Sequence, residues 1–431
     1  MLRLARTPAG IGSRPVGDRP LRLVLTDDLR RGRGSVFFRW WFAVPFLLWL
    51  SLWSIVAFFA ALLNWLLTLL LGRSPGPLHR FLSRYVRFAT HVYAYTNLAT
   101  EQLPKFDGRP GYELDLEIDL PAGQRRLTVL FRVPLALPAI VLIAMLGGGG
   151  FSFFTTTWSG GLSNSGLLGT AALLGWFASI AWTRMPRGLR DAIVYVVFYG
   201  AQLWAYLLLL TDSYPCADPG LAIPQPPVRD DPVSMHVEEE SRRSRLTVLF
   251  RLPLCFVHLV WLITWTILAW LAAVLNWLVT LFGGKSPSGI HDFIAAYQRY
   301  QCHVLAYLYL IANPFPGFVG KPDSYPVELQ IAAPEQQNRL TVLFRLVLVI
   351  PAVLIASAYN GLLLTVAVLG WFASLVTGRM PVGLARAGAL ALRYCMQTSA
   401  YWLILTDSYP YSGPCRQEPA DTPVATEPAF G

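Results

Sequence analysis

RWWFAVPFLLWLSLWSIVAFFAALLNWLLTLLLGR, residues Arg39 to Arg73, runs between two arginines without an Asp, Glu, Lys or Arg inside. A stretch that long and apolar belongs in hydrocarbon, and cations at its ends are what anionic lipid attracts. The same bracket recurs between Arg132 and Arg184, Arg251 and Lys285, and Arg345 and Arg379. The sequence therefore predicts a membrane protein built from one repeated unit.

The copies align to the residue. In the first, third and fourth, the opening arginine (Arg39, Arg251, Arg345) precedes a tryptophan (Trp65, Trp277, Trp371) by 26 positions; a cation follows 8 later and an Ala-Tyr pair (Tyr95, Tyr307, Tyr401) 22 after that. In the second copy Arg132, Trp176, Arg184 and Tyr206 keep the last two intervals, but the first is 44, so 18 residues are inserted within 147–166. Insertions settle where a loop already exists. Each uncharged stretch is thus expected to be two helices with a turn between them; for the first, where no Gly or Asn marks a turn, one unbroken tilted helix is the alternative. As one straight helix its 33 residues would reach about 50 Å, against a hydrocarbon core of about 30 Å. A shallow hairpin with both ends on the cytoplasmic side satisfies the positive-inside bias.

Ahead of each span lies a period-two alternation, the mark of a strand with one wet face. It is clearest in YELDLEIDL (112–120) and recurs at Leu21, Leu23 and Leu25, at Val233, Met235 and Val237, and at Val327, Leu329 and Ile331. Open strands do not survive in lipid, so these are expected outside it, pairing with one another or covering helix ends. Strand and span are joined by RLTVLFR, verbatim at 126–132, 245–251 and 339–345 and degenerate as RGSVFFR at 33–39. The bracket cations Arg39, Arg73, Arg132, Arg184, Arg251, Lys285, Arg345 and Arg379 are the candidate lipid or anion contacts, their stems snorkelling to phosphates.

A third helix follows GRSP, TRMP, GKSP or GRMP. In the first copy Arg80, Arg84, Arg87 and His91 form one polar stripe on it, which predicts an amphipathic, interfacial helix. Gln202, Arg299, His303, Arg393 and Gln397 continue the stripe in the other copies. Copies one and three share Asn-Trp and paired histidines, while two and four share GWFAS and LTDSYP. The unit is an odd–even pair duplicated, with an internal pseudo-twofold axis.

The fold class is therefore membrane α+β: four tandem repeats, each a short strand, a shallow apolar helical hairpin and an interfacial helix. Their bounds are 20–107, 108–218, 219–322 and 323–411, between a flexible basic arm (1–19) and a tail (412–431) rich in Pro, Glu, Thr and Ala and expected to be disordered. A net charge of +10 sits beside apolar segments rather than in a basic domain, which speaks for lipid and against nucleic acid as partner. Five scattered cysteines have neither metal nor disulfide spacing.

Strand, RLTVLFR, apolar span, GRMP and a helix closing on AYWLILTDSYP together resemble the bacterial membrane family called domain of unknown function 4389. The resemblance implies a prokaryotic membrane protein, expected in the bacterial inner membrane, and brings no activity, cofactor or catalytic residue. The residues agree. No charged group lies inside the spans to act as base or ligand, and His79 and His91, twelve apart on one helix, stand about 18 Å apart and cannot share a metal. The expectation is a non-catalytic scaffold or accessory subunit that binds membrane lipids and another membrane protein, without metal or cofactor. The alternative is an anion or small-solute conduit lined by Arg87, His91, Gln202, Arg299, His303, Arg393 and Gln397.

Overall fold

The computed structural model describes residues 20–119, 123–148, 166–223, 225–238 and 242–417. The basic arm, most of the insertion and the end of the tail lie outside the described residues. The first copy comprises β1 (Leu21–Leu25), the one-turn lead-in α1 (Arg33–Phe37), the long α2 (Arg39–Leu71) and α3 (Gly76–Thr96). The second has β2 (Leu114–Ile118), α4 (Arg126–Leu130), α5 (Arg132–Gly147), α6 (Gly166–Trp182) and α7 (Arg187–Leu207). After a short β3 (Val228–Arg229) come β4 (Val233–Val237), α8 (Arg245–Leu249), α9 (Arg251–Gly283) and α10 (Ser288–Leu308). The fourth copy is β5 (Val327–Ile331), α11 (Arg339–Leu343), α12 (Arg345–Leu348), α13 (Ile350–Thr377) and α14 (Val382–Trp402), followed by β6 (Arg416–Gln417).

All four predicted strands are present. They pair antiparallel two by two, β1 with β2 (Leu23 opposite Leu116) and β4 with β5 (Met235 opposite Leu329).

The hairpins are not. The first and third spans are single 33-residue helices, and in the fourth α12 passes into α13 through Val349, whose N–H bonds to Arg345 O. Nothing in these stretches stops a helix. Ser54, Thr264 and Asn360, at the expected turns, bond back to carbonyls four residues earlier and stay helical. In the second copy α5 and α6 meet at Gly148 and Gly166, where a Cβ on Gly166 would stand 2.2 Å from Gly148 N. Those glycines are 18 apart, the length of the insertion, so α5 and α6 meet where the long helices of the other copies run on. Three helices, Arg39–Leu71, Arg251–Gly283 and Ile350–Thr377, are long and apolar enough to cross a membrane.

Each long helix and the third helix after it run antiparallel. In the first copy Arg39 reaches Thr100 O, Ser54 Oγ meets Tyr85 Oη at 2.9 Å, and Ser74 Oγ donates to Asn64 Oδ1. Between copies the tryptophans of the sequence pattern act as clamps. Trp65 donates to Val129 O in the lead-in turn of copy two, and Trp176 to Val36 O in that of copy one. Trp277 and Trp371 make the same exchange with Val342 O and Val248 O. Copies one and two are thus an inverted pair, as are three and four.

The two pairs interlock through their even copies. A Cβ on Gly188 of α7 would meet Ser412, and one on Gly383 of α14 would meet Cys216 and Ala217. Tyr359 donates to Ser412 O and Tyr195 to Ala217 O. Residues 412–417, which composition assigns to the tail, belong to the body: Ser412 is buried and β6 pairs with β3.

Side-chain directions order the layers. On α3, Phe81, Tyr85 and Phe88 face Trp53 of α2, while Arg87 and His91 face β2. Long helices, third helices and strand pairs stack in that order.

Candidate functional site

The opening arginines are not at the surface. Arg39, Arg132, Arg251 and Arg345 are at most 3 % exposed. Each guanidinium lies over the ring of the Ala-Tyr tyrosine, 4.4 Å from Tyr95, 3.9 Å from Tyr206, 4.2 Å from Tyr307 and 4.1 Å from Tyr401. Arginine suits this place because its flat, weakly hydrated head stacks and still donates at its rim.

The donors go to the end of the third helix. Three residues after each tyrosine the chain turns left-handed at Leu98, Leu209, Leu310 and Ile404, φ +65°, +64°, +63° and +61°. The next N–H returns five residues, as in Ala99 to Ala94 O and Leu405 to Ala400 O, a Schellman closure that leaves carbonyls pointing outward. Arg39 takes Tyr95 O and Thr100 O, Arg132 takes Tyr206 O and Thr211 O, Arg251 takes Ala312 O, and Arg345 takes Thr406 O. A cation there also meets the negative end of the helix dipole.

A second side chain, unmarked by the sequence pattern, completes the cap. Eight residues before each arginine stand Arg31, Gln124, Arg243 and Gln337, and each donates to the carbonyl of the left-handed residue. The odd copies use Arg and the even copies Gln. Three copies add a carboxylate: Glu101, Asp212 and Asp407 lie 2.8, 2.9 and 3.1 Å from their arginines. Asp212 and Asp407 of LTDSYP are therefore partners of buried cations and not only turn residues. In the third copy the position holds Asn313, and Nε and Nη1 of Arg251 have no hydrogen-bond partner among the described residues.

These four arginines are corrected from lipid contacts to internal locks, because burial against an aromatic face and a row of carbonyls replaces what phosphate would offer. The closing cations differ. Arg73, Arg184, Lys285 and Arg379 are exposed, and their backbones bridge to Gly123, Arg30, Gln336 and Arg242 of the paired copy.

The predicted stripe does not hold together as a lining. Arg80 and Arg84 are exposed. Arg87 bonds to Leu116 O at 2.8 Å and pairs with Asp115, which also lies 3.3 Å from His91 Nε2. His91 stacks on Tyr112 and His303 on Tyr325, with Glu328 3.7 Å from His303. Arg299 lies half-buried one turn before His303. Gln202 holds the backbone of Cys216, and Gln397 that of Val233 and Tyr411. Arg393 holds Gly413 O and Cys415. The third helices are thus middle-layer elements rather than interfacial ones, and their polar side chains fasten strands and tails to them. Burial outweighs Asp115 and pushes His91 below its ordinary pKa; Asp115 is itself held low by its bonds to His91, Gly111 and Leu116.

The lead-in turn, the buried arginine and the tyrosine cap thus form one unit, met four times. The sequence profile of a domain of unknown function, DUF4389, matches residues 33–107, 245–319 and 339–412, more than half of the chain. The chain belongs to the DUF4389 family. The three matched stretches are copies one, three and four, each running from lead-in turn to just past the capped third helix. The second DUF4389-like copy, whose long helix carries the insertion, is outside the match although its arginine, tyrosine and clamps sit in the same geometry. No curated protein and no solved structure matches the chain.

Proposed function

We propose that this DUF4389 protein is a non-catalytic scaffold or accessory subunit of a bacterial inner-membrane complex, lying with its long helices along the membrane plane and its strand pairs in the cytoplasm. The observation that carries the reading is the level at which the strands sit. Leu116 is held by Arg87, two residues from Tyr85 on α3, and Tyr85 faces the middle of α2. If α2 stood across a bilayer, a two-stranded sheet with open edges would lie near the midplane. Its Arg22, Glu117 and Asp119 side chains are 48, 60 and 52 % exposed, and lipid does not accommodate such a sheet. The third copy repeats the conflict, with Asp292 77 % exposed on α10 near the middle of α9.

Laid flat, the same layers fit. α2 touches the body along a narrow seam, Ala43, Phe46, Leu50, Ala57 and Asn64, and exposes Trp41, Leu48, Leu52, Phe59 and Leu66 around the rest of its circumference. That face belongs in acyl chains, while Arg73, Arg184, Lys285 and Arg379 meet headgroups. The partner is another membrane protein that packs on the apolar layer. What weighs against a conduit is that its proposed lining is already occupied by strands and tails.

Single cysteines at Arg245 and Lys285, the two ends of the α8–α9 segment, test the orientation in a background lacking the five native ones. Both are expected to label from the cytoplasmic side only. Labelling from opposite sides overturns the flat orientation; recovery of the protein in the soluble fraction overturns the membrane reading altogether.

A further inference from the structure

Between α3 on one side and α5, α6 and α7 on the other lies a cleft of about 170 Å³. Tyr85, Ala89, Ile143, Gly147, Gly200 and Trp204 are among the side chains around it. The wall is almost wholly apolar, and the hydroxyls of Thr90 and Tyr85 are already bonded, to Val86 O and Ser54. Nothing in the cleft calls for a charged or hydrogen-bonding ligand. On α5 the lining Ile140 and Ala144 are followed in sequence by the exposed Val141 and Met145, residues that the proposed orientation places in lipid.

The second half of the molecule shows how the same space looks when protein fills it. Val86, Gly200 and Ala201 correspond there to Gln298, Cys395 and Met396. Gln298 is fully buried and donates to Met396 O. In the first half small residues keep that volume clear: a Cβ on Gly200 would find only Ile143 Cδ1, at 3.7 Å.

We infer that this cleft holds the end of a phospholipid acyl chain. A 150 Å³ apolar cavity takes benzene, so the space accommodates about six carbons of a chain, with the glycerol and headgroup outside. A dry apolar cavity left empty forfeits dispersion contacts that a chain end restores. The inference rests on the membrane reading for its source of ligand, and its test separates the two.

The full chain, in vesicles of phosphatidylethanolamine and phosphatidylglycerol containing a phospholipid with a diazirine at the chain terminus, is irradiated and the adducts mapped. Adducts are expected to concentrate on the cleft walls of α5 and α7, above the level on the exposed face of α2. Gly200→Cys with Ala201→Met copies the filled half and should remove the cleft adducts while leaving those on α2. Ala144→Leu, from the opposite wall, serves where that pair does not assemble. Adducts spread evenly over α2 and the cleft, or cleft adducts undiminished by either filled variant, overturn the inference while leaving membrane insertion intact. No adducts anywhere overturn both. Cleft adducts formed by a fatty acid with the same terminal diazirine, but not by the diazirine phospholipid, move the assignment from phospholipid to fatty acid and overturn it as stated.

Discussion

The two halves of the molecule, 20–223 and 225–417, repeat one plan and differ in how completely they use it. In the first half both buried arginines have a carboxylate, Glu101 and Asp212; in the second only Arg345 does, because Asn313 faces Arg251. The cleft contrast runs the other way, open in the first half and crossed by Gln298 in the second. Locks and cleft therefore vary independently. The helix caps hold with or without an acid, so the cation, the tyrosine face and the row of carbonyls are the minimum set. The carboxylate is an addition.

The largest expected effect tests that ranking directly. Arg132→Met leaves Asp212 and the carbonyls of Tyr206 and Thr211 without their donor, and should cost about 3 kcal/mol, the low end for a broken buried pair because Asp212 is 39 % exposed. Arg251→Met strands no carboxylate and should cost less than half as much. Thermal unfolding of the two variants in the same detergent gives the comparison, and equal losses would break it.

A smaller effect sharpens the same contrast from the other side. Asn313→Asp supplies the third copy with the acid its neighbours have, next to two unpartnered guanidinium nitrogens. A gain of about 1 kcal/mol is expected, in the range of a charge-assisted hydrogen bond less the burial of its acceptor. A loss would mean that the third lock is built for a neutral neighbour.

The smallest effect concerns pH. Burial holds His91 below its ordinary pKa, so the unfolded strand pair binds a proton that the docked one resists as pH falls through the His range near 6.5. Docking of β2 therefore weakens on acidification. Asp115, whose pKa lies below the ordinary carboxylate value, stays ionised over the same window and does not reverse the sign. Amide exchange at Leu114–Ile118, corrected for intrinsic rates, should show less protection at pH 5.5 than at 7.5. Unchanged or rising protection would contradict it.

Much of this was legible from residues alone. Alternation at Leu21, Leu114, Val233 and Val327 placed every repeat strand, since a half-wet strand has no other pattern. The spacing from opening arginine to tyrosine, 56 in three copies, marked both partners of each lock. That they touch was not legible, because contact depends on a third helix returning antiparallel along the long one. Arg31, Gln124, Arg243 and Gln337 are not legible as a set because two residue types share one duty. Neither the insertion point nor a bilayer's thickness puts a turn into the other spans, because their residues carry no signal to turn.

The reciprocal seating of Ser412 on Gly188 and of Ala217 on Gly383 sets an order of events during synthesis. When α7 leaves the ribosome, the segment that covers it is still more than two hundred residues from being made. The first half must wait, partly uncovered, until those residues are translated. The same crossing means that two separate half-length chains could satisfy each other's sockets as one does its own, so severing the link between the halves, near residue 224, should yield a pair that stays clasped rather than two free pieces.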